Sequence, residues 1–500
     1  MGGMNGEADA TAGVDARLEG LCSLSDAIWR YAETGFDVDR SAAALRGTLE
    51  AEGFEARTGI GGIDAAFMAS WGKGAPVIAL LGEYDALPGM SQAAASPQKA
   101  EVVEGGNGHG CGHNLLGVGS LGAALAAKDF LVASGLPGTV RYYGCPGEER
   151  GAGKTFMARA GAFDGVDLAL TWHPGDVNSV LQARTLANLS AYFRFTGKAA
   201  HAANAPHLGR SALDAVELMN VGANYLREHV IPEARIHYAI TNPGGRAPNV
   251  VQDVAESHYF CRAPRVPQAR EIFARLCDVA RGAALMTGTA CAIRLSEGLS
   301  DYLPNGILGE LLQRCMERKG TPAFSDEDRG LARRFRETFS PAELASALSQ
   351  ARHSQGAELA DRLAGSPLAE GASPLFRGDA LLPGSTDVGD VSQLVPTGQV
   401  ICACAAFGTA PHTWQFTAQA ASSIGHAGMA AAARVLALAC AEIFADPGIA
   451  ERAREELRAK TGGVYECPIP DDIQPGGDGE AAAEPRSDQV SRVRSGIGGQ

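Results

Sequence analysis

Short apolar runs alternate with longer segments of helical spacing along the first part of the chain. The runs 76–81, 138–144 and 166–172 predict buried strands, whereas residues 18–51 and 115–133 predict helices. Strands that alternate with helices in this way are typical of an α/β sandwich with a mainly parallel sheet. We therefore expect an α/β fold of this kind to begin near the N-terminus.

The pattern changes near residue 187, where the hydrophobic positions alternate as in a half-buried strand. A long helix and two further strands follow. The four predicted elements lie at residues 189–195, 211–228, 237–241 and 255–261. Their β-α-β-β order predicts a small α+β domain inserted at residues 187–300.

The α/β pattern returns after this insertion. A strand at 399–407 and a helix at 425–444 assign residues 301–467 to the second part of the main domain, whose first part is 1–186. Residues 318–375 are charged and helical in composition, and we interpret them as an insertion. The remaining tail, 468–500, is rich in Gly, Pro, Asp, Glu and Ser, which predicts disorder.

Composition and charge exclude some classes of function. The chain has 500 residues and a net charge of −14, which argues against a nucleic-acid-binding surface. No secretory signal is visible, and no uninterrupted apolar run reaches the length of a membrane span. The 11 cysteines are scattered along the sequence. These features predict a cytoplasmic protein with free thiols and no membrane partner.

Residue types that bind metal ions follow the predicted strands. In open α/β sheets, ligands bind at the carboxyl ends of the strands, so side chains from several strand ends can meet there. Four such segments lie in the first part of the chain and a fifth lies far downstream: GEYDALP (82–88), GHGCGHN (108–114), GCPGEER (144–150), TWHPG (171–175) and GTAPHTW (408–414).

Two of these segments carry the clearest chemistry. Cys111 and His113 are separated by one residue in a glycine-rich turn, and thiolate and imidazole are preferred ligands of zinc-like ions. Glu148 and Glu149 are adjacent carboxylates that repel each other unless a cation compensates them. One can bind a metal while the other acts as a general base.

Each segment by itself also fits a loop without a metal. Cys111 and His113 fit an ordinary solvated loop, the two glutamates a solvated acidic turn, and His173 a hydrogen-bonded loop residue. His412 is equally weak alone. The joint pattern of ligand types at several strand ends favours a dinuclear metal site.

Two other motifs are similar to nucleotide-binding sequences, but neither has the context that such a site requires. Residues 117–122 match G-x-G-x-x-G but do not follow a strand, so their small residues more simply permit close helix packing. The sequence GAGKT at 151–155 is similar to a phosphate-binding loop. However, Glu148 stands where that motif requires Gly, and carboxylates would repel a phosphate.

Taken together, these segments resemble the zinc-dependent aminoacylase/carboxypeptidase amidohydrolases, in the hippurate-hydrolase branch. The resemblance also rests on GKAAHAA and PNVV and spans roughly residues 20–468. AAHAANAPHLGRSALDAV and STDVGDVS are similar to members that act on p-aminobenzoyl-glutamate. The family fold implied is a catalytic α/β sandwich with an inserted α+β lid and dimerisation domain.

The resemblance implies two divalent metal ions, zinc or manganese. It assigns metal binding to Cys111 as the bridging ligand, His113, Glu149, His173 and His412. Glu148 is implied as the general base that takes a proton from the attacking water. Asp85 is implied to orient a ligand histidine and fix its tautomer.

For the inserted domain, the resemblance implies contacts with substrate and with a neighbouring protomer. His201 is expected to reach the neighbouring protomer's site and stabilise the oxyanion of the reaction. Asn249 and Arg262 are expected to contact substrate, with Arg262 pairing with a carboxylate. Two positions depart from the family pattern: Asn114 replaces the usual Asp, and Glu83 replaces a ligand His of some relatives.

The activity implied is hydrolysis of the amide bond of a small-molecule N-acyl amino acid. The expected substrate is p-aminobenzoyl-glutamate, cleaved to p-aminobenzoate and glutamate. The alternatives are a dipeptidase acting on β-alanyl or basic dipeptides, and an auxiliary, non-catalytic subunit. The expected assembly is either a homodimer or a heterodimer with a related subunit.

Overall fold

The computed structural model describes residues 5–476, apart from the side chains of residues 5–9 and 354–355. The described chain divides into two compact units. The larger unit comprises residues 5–185 and 300–467, and the smaller unit comprises residues 186–299 and 468–476.

The described residues form eleven strands and fifteen α-helices. The strands are β1 Glu55–Thr58, β2 Phe67–Lys73, β3 Val77–Glu83, β4 Gly138–Cys145, β5 Leu168–Gly175, β6 Ser179–Val180, β7 Ala187–Thr196, β8 Arg235–Asn242, β9 Val254–Ala263, β10 Ala290–Leu299 and β11 Thr397–Ala403. The helices are α1 Asn5–Asp15, α2 Leu18–Tyr31, α3 Asp39–Ala51, α4 His113–Ser134, α5 Gly153–Arg159, α6 Ala212–Leu226, α7 Val266–Thr287, α8 Gly306–Lys319, α9 Asp326–Arg336, α10 Pro341–Gln355, α11 Ala357–Gly365, α12 Val388–Leu394, α13 Trp414–Gln419, α14 Ser423–Ala445 and α15 Gly448–Thr461.

The larger unit is built on a seven-stranded sheet in the order β1-β2-β4-β3-β5-β11-β6. The four middle strands, β4, β3, β5 and β11, are parallel, and the pairs at both edges are antiparallel. Both faces of the middle strands are almost entirely buried, which explains their mainly apolar sequences. The prediction of a mainly parallel α/β sheet is confirmed. Because these four strands are parallel, their carboxyl ends share one edge.

Helix α4 packs closely against this sheet through its glycines. A Cβ on Gly117 would lie 2.6 Å from the Glu83 backbone oxygen, and one on Gly119 would lie 2.7 Å from the Trp172 ring. The predicted role of the 117–122 glycines in close packing is therefore confirmed, and these residues lie inside a helix rather than in a nucleotide-binding turn.

Helices α4 and α14 are long and apolar enough to span a membrane by length and composition. Neither helix is an uninterrupted apolar run, since Lys128 and Asp129 interrupt α4 and Arg434 interrupts α14. In both helices, 83% of the most apolar window is buried inside the fold. Such burial is typical of the core helices of a large α/β unit, which are apolar on all sides.

The long helix predicted over 18–51 is two helices, α2 and α3, separated by residues 32–38. The break follows from local hydrogen bonding. Ala32 adopts a left-handed conformation at the end of α2, with φ 45°. The Glu33 carboxylate then accepts hydrogen bonds from the backbone N–H groups of Arg40 and Ser41 at the start of α3. Such a contact satisfies donors that have no partner within the helix.

The smaller unit has a four-stranded antiparallel sheet in the order β10-β7-β9-β8. Strand β9 alternates between buried and half-buried positions along its whole length, because only one face packs against α6 and α7. The predicted β-α-β-β order was incomplete, since α7 and β10 follow it. Strand β10 is half-buried at most positions and so lacks a clear alternation.

The charged segment 318–375 contributes three helices, α9, α10 and α11, to the larger unit. Each of α9 and α10 begins with a reciprocal capping box, formed by Ser325 with Asp328 and by Ser340 with Glu343. Buried Phe335 and Leu363 join an apolar cluster with residues of α13 and α14.

The disordered tail predicted from residue 468 is only partly described. Pro468 and Ile469 are buried, so the prediction of disorder was wrong at its start. The remainder, residues 477–500, lies outside the described residues.

Candidate metal centre

Cys111 and His113 lie where a tight loop enters α4. Gly112, with φ 75°, precedes the helix, and a Cβ there would lie 3.0 Å from the side chains of Phe416 and Pro174. The glycine therefore permits both the turn and the close packing around it. His113 is the first residue of α4, and Cys111 and His113 are both buried.

Asp85 fixes the orientation of His113. Its Oδ1 lies 3.1 Å from His113 Nδ1, and both side chains are buried. A proton on Nδ1 is donated to this carboxylate, which leaves Nε2 as the free lone pair. The other oxygen of Asp85 accepts a hydrogen bond from the Glu149 backbone N–H at 3.0 Å. Asp85 therefore ties together the loops after β3 and β4.

His173 lies within β5, two residues before the strand ends, rather than after the strand as predicted. Its Nδ1 lies 2.8 Å from the Pro174 carbonyl oxygen, to which it donates a proton. The Nε2 atom is then the free lone pair, and it lies 3.4 Å from Cys111 Sγ.

Glu149 lies between two histidines. Its Oε1 is 3.9 Å from His113 Nε2, and its Oε2 is 3.4 Å from His412 Nε2. His412 has a positive φ of 59°, which is rare and costly for a residue other than glycine. Its backbone N–H donates to the Gly110 carbonyl at 2.9 Å, which holds the 408–412 loop beside the Cys111 loop.

The candidate ligand atoms form three overlapping groups, in each of which the atoms lie within 4.8 Å of one another. Cys111 belongs to two of the groups, and so does His113. The groups are Cys111 with His113 and His173, Cys111 with Glu149 and His412, and Glu83 with His113 and Glu148. The structure therefore brings together all the side chains of the larger unit that were predicted as ligands or base, and adds Glu83.

The spacing of these atoms fits bound cations. Ligands at about 2.0–2.3 Å around one tetrahedral ion lie roughly 3.3–3.8 Å apart. In addition, His113 Nε2, Glu83 Oε2 and Glu149 Oε1 are buried without a hydrogen-bond partner among residues 5–476. Buried polar atoms are costly when unpaired, and a metal ion would satisfy all three.

The pKa values of the two adjacent glutamates shift in opposite directions. Burial, together with the negative charges of Glu83 and Glu149, raises the pKa of Glu148 well above its usual range. For Glu149, burial acts in the same direction, but the contacts with His412 and His113 outweigh it and lower the pKa to about 2. A carboxyl group with a raised pKa beside ionised ligands is suited to proton transfer.

A buried lysine also contacts the centre, and it was not predicted from the sequence. Lys154 Nζ lies 2.7 Å from Glu83 Oε1 and 2.5 Å from Asp387 Oδ1. Lys154 belongs to the GAGKT segment, and its burial between two carboxylates is incompatible with phosphate binding. The sequence did contain a clue to this lysine, since GEYDALP and STDVGDVS both carry acidic residues that could pair with a buried ammonium group.

The three remaining predicted residues lie in the smaller unit. His201 forms an isolated β-bridge with Val250, and its Nδ1 accepts hydrogen bonds from the backbone N–H groups of Ala203 and Asn204. The Asn249 carbonyl accepts from the Ala202 backbone at 2.9 Å. Arg262 lies on β9 above the Phe260 ring, and burial lowers its pKa.

Comparison with known families matches residues 79–440 to the model of peptidase family M20/M25/M40. The chain belongs to this family. The resemblance predicted from the sequence motifs is thereby confirmed.

Curated relatives agree with membership of the M20 family. The chain is 46% identical to one of the subunits of p-aminobenzoyl-glutamate hydrolase from Escherichia coli, over 92% of this chain and 97% of that protein. It is 29% identical to Xaa-Arg dipeptidase of Mus musculus, over 89% and 91% of the two chains. The other subunit of the E. coli hydrolase is 29% identical over 51% of this chain and 62% of that protein.

Two solved structures share the M20 fold. An aminobenzoyl-glutamate utilization protein from Klebsiella pneumoniae has 17% identity and a TM-score of 0.54, covering 86% of this chain and 97% of that one. A dinuclear metal binding peptidase of the M20 family from Bacillus subtilis has 17% identity and a TM-score of 0.52, covering 86% and 99%. Family membership and the hydrolase relatives identify the chain as a metallo-amidohydrolase.

Proposed function

We propose that this M20 hydrolase cleaves p-aminobenzoyl-glutamate to p-aminobenzoate and glutamate. The observation that carries the chemistry is the convergence of three candidate ligand groups around Cys111 and His113, with Glu148 among them. The substrate follows from the 46% identity to the E. coli hydrolase subunit, which covers nearly the whole length of both chains.

The centre would hold two divalent ions. The residues proposed to hold them are Cys111, which belongs to two of the candidate ligand groups, and His113, Glu149, His173 and His412. When bound, such ions lower the pKa of a water molecule and polarise the amide carbonyl. The B. subtilis fold neighbour is described as a dinuclear metal binding peptidase, which supports the number of ions.

Glu148 is the proposed general base. Burial and neighbouring negative charge raise its pKa, as suits a group that accepts and then releases a proton. Glu148 takes a proton from the attacking water and delivers it to the leaving amine. Asp85 keeps His113 in the tautomer that presents Nε2.

The smaller unit supplies the proposed contacts with substrate. His201 stabilises the oxyanion and reaches the site from a neighbouring protomer. Asn249 and Arg262 bind the substrate, with the Arg262 guanidinium pairing with a carboxylate of glutamate. The neighbouring protomer is either another copy of this chain or a related chain. Two of the E. coli relatives are named as the two different subunits of one hydrolase, which supports a related partner.

Replacing Glu148 with Gln tests the role of the base. The variant keeps the shape of the side chain but cannot accept the proton, so kcat should fall by about 10²- to 10⁴-fold. The bound metal content, measured by mass spectrometry, should stay unchanged because Glu148 is not a proposed ligand. The control is E55Q, which removes an exposed carboxylate on the edge strand β1. Full turnover by E148Q would refute the assignment.

A dipeptidase is the second candidate function. The chain is 29% identical over 89% of its length to a mouse protein named Xaa-Arg dipeptidase. An assay of acyl-glutamates beside β-alanyl and basic dipeptides separates the two candidates through kcat/KM. An auxiliary role without catalysis requires that the purified chain bind no divalent ion after reconstitution.

The same assay identifies the metal, because each substrate is tested with zinc and with manganese. Cysteine and histidine ligands suit zinc, whereas carboxylates also accept manganese.

The 11 cysteines form no disulfide bond among residues 5–476, which supports the proposed cytoplasmic location.

A further inference from the structure

Lys154 is a fully buried cation beside the proposed metal centre, at the start of α5. Its ammonium group contacts Glu83 Oε1 at 2.7 Å and Asp387 Oδ1 at 2.5 Å. Asp387 Oδ2 also accepts a hydrogen bond from the Lys154 backbone N–H at 2.9 Å. All three side chains are enclosed by the larger unit, with Glu83 only 2% exposed.

Stability alone explains this cluster poorly. Removing three charges from water costs several kcal/mol for each ion, and replacing a buried ion pair by apolar side chains is often neutral or stabilising. The cluster also holds two carboxylates for one ammonium. Its arrangement therefore indicates a function for one of the carboxylates.

The free oxygen of Glu83 indicates what that function is. Glu83 Oε2 makes no hydrogen bond to any described residue, and it lies 3.3 Å from His113 Nε2. The same carboxylate belongs to a candidate ligand group with His113 and Glu148. With Oε1 held by the ammonium, the carboxylate would present Oε2 to an ion held by His113.

We propose that Lys154 is a positioning residue that fixes the Glu83 carboxylate for metal binding, and that Asp387 holds the ammonium in place. This inference rests on the proposed function, because it requires a metal ion at His113. It adds to that function a buried cation that acts on the metal through a carboxylate without touching the substrate.

The variant K154M tests the inference by removing the charge while keeping much of the side-chain volume. We expect the dissociation constant of one of the two ions to rise at least tenfold, as is typical when a partner of a ligand is lost. The probe is zinc(II) alone, competed with a chromogenic chelator. The control is K128M, which removes another carboxylate-paired lysine, bound to Glu52 at 2.9 Å. Lys128 lies 15 residues beyond His113 on α4, roughly 22 Å along the helix.

The double variant K154M/D387N separates positioning from charge balance and from folding. It leaves the cluster with the same net charge as the native protein, and the amide oxygen introduced at position 387 can still accept from the backbone at residue 154. Thermal unfolding close to that of the native protein, with zinc(II) affinity still weakened at least tenfold, supports the inference. Native zinc(II) affinity in this variant would overturn it.

A double-mutant cycle with E83Q tests whether Lys154 acts through Glu83. E83Q should weaken zinc(II) binding to the same degree as K154M, and adding K154M to E83Q should weaken it no further. Equal effects of K154M in both backgrounds would overturn the inference. If the native chain binds two ions and K154M binds both unchanged, only this inference fails. If the native chain binds none, the proposed function fails as well.

Discussion

Single hydrogen bonds set the orientation of the candidate ligands. His113 and His173 each use Nδ1 to bind an oxygen of the protein, at 3.1 Å for the Asp85 carboxylate and 2.8 Å for the Pro174 carbonyl. In both rings Nε2 is therefore the atom available to a metal. The two contacts differ in charge, since a carboxylate raises the basicity of an imidazole more than a neutral carbonyl does.

The variant D85N tests whether the charge of Asp85 strengthens metal binding by His113. The amide preserves the shape of Asp85 but removes the charge that supports His113, so the zinc dissociation constant should rise by about 10- to 100-fold. A chelator competition assay measures the change. The matched control is D328N, which alters another buried Asp, in the capping box of α9. Unchanged zinc affinity in D85N would contradict the proposed role.

His426 gives a prediction for stability against pH. Burial lowers its pKa, but the hydrogen bond to Asp26 at 2.9 Å and the nearby Cys22 outweigh burial and raise the pKa to about 9. The unfolded value is about 6.5. The stabilisation is therefore complete below about pH 6.5 and is lost as the pH rises through about 9.

The free energy of unfolding of the native protein should fall relative to that of H426Q between pH 6.5 and 9. The expected difference is on the order of 1 kcal/mol, because Asp26 is partly exposed and solvent screens the pair. Chemical denaturation at several pH values measures it, with H353Q on the exposed face of α10 as the control. If the free energy of unfolding varied with pH in the same way for the native protein and H426Q, the contact between His426 and Asp26 would not be a source of stability.

At the scale of elements, helix α4 contains a G-x-G-x-x-G motif that serves helix packing rather than nucleotide binding. The glycines at 117, 119 and 122 match a nucleotide-binding fingerprint, yet they lie inside a helix, against the end of β3, Trp172 and Leu21. The close approach brings the start of α4, and with it His113, to the carboxyl ends of β3 and β5. The sequence already argued against nucleotide binding, because no predicted strand directly precedes this motif.

Replacing Gly117 with Ala should destabilise the larger unit by about 1–3 kcal/mol, the usual cost of overpacking. The added Cβ would lie 2.6 Å from a backbone oxygen that cannot move without shifting β3. The helix-forming preference of Ala offsets only about 1 kcal/mol. In the control G47A, on α3, nothing lies within 4 Å of the new Cβ, so stability should rise by about 0.5–1 kcal/mol. Denaturant unfolding distinguishes the two, and a stabilised G117A would contradict the packing argument.

At the scale of the whole molecule, the metal centre concentrates negative charge inside a chain of net charge −14. Glu83, Asp85, Glu149 and Asp387 are nearly or fully enclosed, and Lys154 is the buried lysine that faces two of them. Two divalent ions would supply the missing positive charge. Binding of the ions and folding of the larger unit should therefore be thermodynamically linked.

Removal of metal should lower the thermal unfolding midpoint, and zinc or manganese should restore it. At an ion concentration about 100 times the dissociation constant, one ion contributes about 2.7 kcal/mol. Differential scanning calorimetry of chelated and reconstituted protein measures the shift. E148Q should show the same shift as the native chain, since it keeps all the proposed ligands. A midpoint that does not respond to chelator would contradict linkage.

Some of this architecture could be predicted from the sequence because its signals are local. The buried strands β3, β4 and β5 are mainly apolar, and α4 and α14 are long apolar helices, so each was predicted at nearly its final position. The break between α2 and α3 was missed because it depends on Glu33 binding the backbone of the next helix. Strand β10 was missed because its burial is uneven.

The sequence by itself determined the α/β class, the family and the segments that carry the chemistry, because residue type, spacing and strand ends are properties of the linear chain. The tertiary structure decided which atoms meet. It placed Glu83 with His113 and Glu148, buried Lys154 between Glu83 and Asp387, and brought His412 from 301 residues beyond Cys111 to the same ligand group. The physical reason is that a charged side chain is buried only where partners from distant segments compensate it, and no local pattern encodes those partners.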